Sequence, residues 1–181
     1  MKPAISMYNA SVPVFKQLLN SLNTILDKAQ THLVSGEIAA DSLLQANLFP
    51  DMFNFTRQIQ IATDFAKGVV ARLAGVEVPV YDDNEDSFEA LQARIEKTLK
   101  FIAAIKPEQL NGSEEKEITI RPGTPKERTF NGQTYLLHYG LPQFFFHVTT
   151  AYGILRNQGV EIGKWITWEE FPSPGLFIVT G

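Results

Sequence analysis

The chain carries three histidines and no cysteine. Disulfides, thiolate zinc sites and cysteine nucleophiles are therefore excluded. His32, His138 and His147 are the side chains whose ordinary pKa suits proton transfer or metal ligation near neutral pH. His138 and His147 are nine residues apart, with Gly140-Leu141-Pro142 between them. That spacing does not place two ligands on adjacent turns of one helix, and the Gly-Leu-Pro step is expected to break the helix. No P-loop, dinucleotide glycine fingerprint, G-x-S-x-G or H-E-x-x-H occurs. His32 falls off the apolar stripe near a helix C-terminus, where a surface role is expected. His147 sits inside LPQFFFHVTTAYGILR, residues 141–156. Two readings of it stay open. One is a buried neutral imidazole bonded to a carbonyl or a tyrosine. The other is a metal ligand or general base facing a pocket. Tyr152 joins His147 as a candidate catalytic group. Asp51, Asn54, Gln58, Thr150 and Tyr8 are candidate ligand contacts for an interior site.

The elements that must position these groups are mostly helical. Residues 6–33 carry an apolar stripe at Tyr8, Val12, Phe15, Leu19, Leu22, Leu26, Ala29 and Leu33, stepping by four and three. The regular helix either starts near Ser11 or kinks at Pro13. Ser35-Gly36 ends it. A short helical turn at 40–44 follows, broken by Pro50. A second helix is expected from Asp51, with Met52, Phe55, Ile59, Ala62, Ala66, Val69 and Leu73 on one face and Gly75 as its stop. Asp82, Asp83, Glu85 and Asp86 lack the alternate spacing and glycine of a calcium loop, so they read as solvated. Asp86 or Ser87 caps a third helix that Pro107 stops. Residues 117–121 and 127–130 predict a β-hairpin around Pro122-Gly123-Thr124-Pro125. A short helix at 133–140 leads to the last long helix. That helix is apolar on most sides and so is expected to be central. The tail, residues 165–181, holds two Trp and two Phe and is expected to dock on the body or on a partner subunit.

At 181 residues, with 44% apolar and 20% charged side chains, this is the composition of one globular domain. A net charge of −4 and the lack of any basic run argue against a nucleic-acid binder. No apolar run approaches the roughly 20 residues that span a bilayer. A signal peptide is not evident, and a cytoplasmic protein is the expectation.

Three stretches, SMYNASVPVFKQLLNSLNTILDKA, LLQANLFPDMFNFTRQIQIATDFAKGVVARLAG and LPQFFFHVTTAYGILRNQGVEIGK, resemble the DUF1993 family. That family is similar to a branch of the DinB/YfiT-like superfamily of four-helix bundles, often dimers. The resemblance covers residues 6–164. It implies an all-α, DinB-like four-helix bundle with a small β-hairpin before the last long helix, in a homodimer. In the superfamily a divalent metal is held by three histidines, one on the second helix and two spaced by four on the last. His147 matches the first of that pair and Ala151 stands at the second. Gln58 or Gln60 stands at the second-helix position. One imidazole with a neutral amide is a poor zinc or nickel site, so no cofactor is expected and a metal at His147 is disfavoured. Three functions remain open. The first is a small-molecule-binding bundle protein with an incomplete metal pocket at His147. The second is a thiol-conjugate transferase or hydrolase with His147 as general base and Tyr152 or Gln58 orienting the substrate. The third is a dimeric structural or stress-related protein without catalysis.

Overall fold

Apolar side chains recurring every three or four residues build the framework. The computed structural model describes residues 5–34 and 39–163. Helix α1 (Val12–Val34) is followed by a short α2 (Ala40–Gln45), then α3 (Phe55–Ala74), α4 (Phe88–Ala103) and one turn, α5 (Pro107–Leu110). Strands β1 (Glu117–Ile120) and β2 (Arg128–Asn131) come next, then α6 (Gly132–Thr134), a π-helical segment (Tyr135–Gly140) and α7 (Leu141–Asn157). α3 and α1 each pack against both α4 and α7, which closes a four-helix ring. Phe15, Leu19, Leu22, Leu26, Ile59, Ala66, Leu91, Ile95, Phe144 and Ile154 fill it and are fully buried. Phe15 meets Phe144 edge-on, with ring centroids 4.8 Å apart.

Local chemistry moves several boundaries away from those expected. α1 begins at Val12, after a turn in which Ser11 Oγ donates to Met7 O at 2.6 Å. Pro13 then lies in the first turn, where its missing N–H costs nothing. α3 begins at Phe55 and not at Asp51. Asn54 is its N-cap, with Oδ1 accepting the Arg57 N–H at 2.9 Å, and Asp51 lies exposed in the preceding turn. Gly75, at φ 73°, ends the helix in the left-handed conformation that glycine tolerates best. α4 starts where Ser87 Oγ accepts the Ala90 N–H, and it ends before Pro107, which opens α5 instead. The hub of the bundle is α3 rather than α7. It contacts α1, α2, α4, α5, α7 and the π-helical segment. α7 leaves Phe145 39% and Phe146 55% exposed.

The acidic loop before α4 is solvated at Asp82, Asp83 and Asp86, which are exposed, while Glu85 is half-buried. Arg94 is buried, and it bonds the Asp82 carbonyl and pairs with Asp83, Glu85 and Asp64 at 2.8–3.0 Å. Spacing within the loop did not show this pairing, because the cation lies on the next helix.

The hairpin forms as expected. Ile118 and Ile120 face inward, and Thr119 and Thr129 share a 3.0 Å hydrogen bond on the outer face. The expected break at Gly140-Leu141-Pro142 is absent. Gly140 and Leu141 keep right-handed helical dihedrals, so 132–157 is one continuous helical rod with a wide π turn inside it. Gly140 permits this. A Cβ there would stand 2.6 Å from Val69 Cγ2 of α3. The Ser35-Gly36 stop and the tail at 165–181 lie outside the described residues. Among the described residues, no helix is long and apolar enough to cross a membrane.

Candidate functional site

The second turn of α7 brings His147 against the first turn of α3, where Gln58 is buried. Gln58 Nε2 donates to the Phe53 carbonyl at 3.0 Å, so its Oε1 is the atom turned to the imidazole. His147 Nδ1 lies 2.7 Å from that oxygen. Nδ1 therefore carries the ring hydrogen and donates, and Nε2 keeps its lone pair. Burial pushes the His147 pKa below its ordinary value, and the Arg57 charge pushes it the same way. The result is a neutral imidazole with a fixed tautomer. Phe65 stacks on it at 6.0 Å and Phe146 meets it edge-on at 5.2 Å.

His147 lines a cleft of about 570 Å³ between α3, α7, the π-helical segment and the hairpin. Phe53, Ile61, Phe65 and Tyr139 give it apolar walls, and Arg57, Arg72, Arg121 and Asp64 give it charge. The aromatic rings run in sequence. Phe130 stacks on Tyr139 at 5.4 Å, Tyr139 meets Phe65 at 5.6 Å, and Phe65 stacks on His147. The buried Tyr135 hydroxyl accepts from Arg72 at 3.2 Å. Burial raises that phenol's pKa, against the pull of Arg72.

A family model described as Domain of unknown function (DUF1993) matches residues 7–166. The chain belongs to the DUF1993 family. A solved DinB family member protein from Shewanella denitrificans shares 34% identity with this DUF1993 protein. The match covers 93% of this chain and 95% of that one, with a TM-score of 0.83. No curated protein matches. The bundle is thus DinB-like, and it carries the small hairpin before its last long helix.

The metal pattern of the superfamily does not fit the residues of this DUF1993 protein. Gln58 presents a neutral amide where the superfamily pattern has an imidazole, and that amide is held by His147 Nδ1 and by Phe53 O. Ala151 is buried and has no donor atom. Gln60, the other second-helix candidate, bonds Arg57 and Glu85. Among the described residues, no group of three or more His, Asp or Glu is placed to hold a metal ion.

Of the residues singled out from the sequence, His147 and Gln58 meet. The others lie elsewhere. Asn54 caps α3 and donates to Gln45 Oε1 at 2.6 Å. Asp51 is exposed. Thr150 donates to the Phe146 carbonyl of its own helix at 2.7 Å. The Tyr8 N–H donates to Asn111 Oδ1 at 3.3 Å. Tyr152 donates to the Ile162 carbonyl and lines a separate apolar groove with Leu18, Ile25, Phe145 and Val148. The sequence reading missed Arg72, Arg121, Tyr135 and Tyr139. A signal existed for part of this. Gln58, Ile61, Phe65, Gly68 and Arg72 repeat the spacing of the α3 core stripe one residue out of phase, so a second face runs the length of the helix.

Proposed function

We propose that this protein binds a small molecule in the cleft at His147. The observation that supports this most directly is the 2.7 Å contact between His147 Nδ1 and Gln58 Oε1. It commits one ring nitrogen to the protein and reserves the other as an acceptor at the cleft. Among the described residues, nothing hydrogen-bonds Nε2. The aromatic walls suit a ligand with a flat or apolar body. Ligand-observed NMR of a fragment library against wild type, His147→Ala and His147→Gln tests the reading. Fragments that bind wild type are expected to lose at least tenfold in affinity on both variants. Fragments that ignore both substitutions, or that gather at the Tyr152 groove, would sink it.

The fixed tautomer favours a second reading, in which the same nitrogen acts as general base in a hydrolase or a thiol-conjugate transferase. An activity of this kind would hold its rate below neutral pH, down to the lowered pKa of His147.

A further inference from the structure

Arginines in this chain generally meet carboxylates when they are buried or half-buried. Arg94 pairs with three of them, and Arg57 pairs with Asp83. Arg72, which is half-buried, and Arg121, which is exposed, differ. Both line the His147 cleft, and among the described residues neither has an acidic partner. Arg72 uses one nitrogen, Nη1, to donate to Gly68 O at 3.0 Å and to the Tyr135 hydroxyl. Among the described residues, its Nε and Nη2 hydrogens meet no acceptor. The Tyr135 hydroxyl accepts from Arg72, so its own hydrogen is available, and it has no acceptor among the described residues. Arg121 is held at the end of β1 with φ at 50°, a conformation that a residue with a Cβ adopts only under constraint. The single carboxylate of the cleft among the described residues, Asp64, is already engaged by Arg94 and Lys67 at 2.8 and 2.9 Å. Among the described residues, this end of the cleft is therefore rich in donors and positive charge. The other end presents an acceptor, His147 Nε2. Phe65 and Arg72 are seven residues apart, roughly 10 Å of helix, and the wall between the two ends is aromatic.

Resting on the cleft reading above, we infer that the ligand is an organic oxyanion. Its carboxylate, or equally a phosphate monoester, sits between Arg72, Arg121 and the Tyr135 hydroxyl, and its apolar body lies along Phe65 and Tyr139 toward His147. Guanidinium groups recognise such anions by paired N–H donors, and a half-buried site strengthens the bond. The charge-matched end sets specificity, because a neutral analogue leaves the guanidinium without an acceptor.

The test uses the full chain and pairs of probes differing only in charge: phenylacetate, 3-phenylpropionate and 4-phenylbutyrate, each against its primary amide. Binding is followed by shifts of the Tyr135, Tyr139 and His147 ring resonances. At least one acid is expected to bind tenfold or more tighter than its amide. The Arg72→Gln, Arg121→Gln double variant should erase that preference and leave amide affinity within twofold. Circular dichroism and the thermal midpoint confirm that the variant is folded. Amides binding as well as acids, or acids binding the double variant as tightly as wild type, would overturn the oxyanion assignment and leave the cleft reading intact. If neither these six probes nor phenyl phosphate moves the cleft rings, both readings fall. Where binding is seen, phenyl phosphate set against 3-phenylpropionate separates the two oxyanion classes.

Discussion

Arg94 reaches from α4 to α3 and Arg72 projects from α3 itself, and the two guanidiniums are treated in opposite ways. Arg94 is 2% exposed, and every N–H it owns has an acceptor: Thr63 Oγ1, the Gln60 and Asp82 carbonyls, and the carboxylates of Asp64, Asp83 and Glu85. Burial alone would lower its pKa, but hydrogen bonding to Glu85 and the surrounding carboxylates prevail and raise it. Among the described residues, Arg72 hydrogen-bonds only a carbonyl and a phenol. A cation caged on all sides holds helices together, because removing it takes the charge partner from Glu85, whose side chain is 9% exposed. A cation with spare donors on a cleft is free to meet something from outside. Asp64 marks the border between the two regions, since it lines the cleft while serving Arg94.

The largest effect should come from the cage. Arg94→Met is expected to lower unfolding free energy by about 3 kcal/mol, whereas Arg72→Met should cost under about 1 kcal/mol, near the level of one net hydrogen bond. Urea unfolding measures both, and equal losses would break the contrast. Next is Gln58→Leu, which strands the His147 Nδ1–H in a buried site. A loss of about 2 kcal/mol is expected, together with a shift of the imidazole toward a mixture of tautomers in 15N NMR. An unchanged tautomer signal would mean that Gln58 does not set it.

The two regions should also separate by pH. The folded pKa of His147 lies below its ordinary value of about 6.5. The unfolded chain then binds the proton more readily, so this contribution is complete above about 6.5 and is lost as pH falls toward the folded value. For Asp83, partial burial pushes the pKa up, but the hydrogen bond and charge of Arg57 and the charge of Arg94 outweigh it and lower it. Its contribution is present above about 4 and fades only in more acid solution. Stability measured from pH 7 to pH 3 in wild type and His147→Gln should differ in slope below about 6.5. Parallel curves there would show that the imidazole does not report on folding. The smallest stability effect is expected for Gly68→Ala. Its Cβ would meet only the flexible tip of Arg72, at 2.6 Å from Nη1. Helix propensity gains up to about 1 kcal/mol, offset by displacement of the guanidinium. Oxyanion preference should weaken while the thermal midpoint barely moves, and calorimetry of phenylpropionate binding reads the difference.

The long helices were legible because burial imposes a period, and the stripe of α3 from Ile59 to Leu73 shows it without interruption. The start of α3 was misread because Asp51 and Asn54 are both good caps, and only backbone geometry chooses between them. The Arg94 cage was invisible because its acceptors come from the loop and from α3, and no local pattern joins them. At the site, family resemblance pointed to Gln58 or Gln60 opposite His147, and it is Gln58 that faces the ring. Tyr152 carries a plausible functional group in the wrong rotational phase. Five residues along an α-helix turn it about 140° from His147, onto the apolar groove. The break expected at Gly140-Leu141-Pro142 failed because glycine and proline rules assume ordinary α turns, and the chain widens into a π turn instead.

That wide turn has a further consequence. It places Tyr135 and Tyr139, whose rings stack at 5.9 Å, upstream of the histidine on the same rod. An i→i+5 turn takes up one more residue than an α turn, so the wide segment absorbs an extra residue while the helix on either side keeps its phase. Deleting one residue between Tyr135 and Gly140 would let an ordinary α-helix form there and change only the segment that carries the two phenols, with α7 and the imidazole left in place. A length change of a single codon in this segment could therefore retune what the protein accepts without disturbing the ring of helices beneath it.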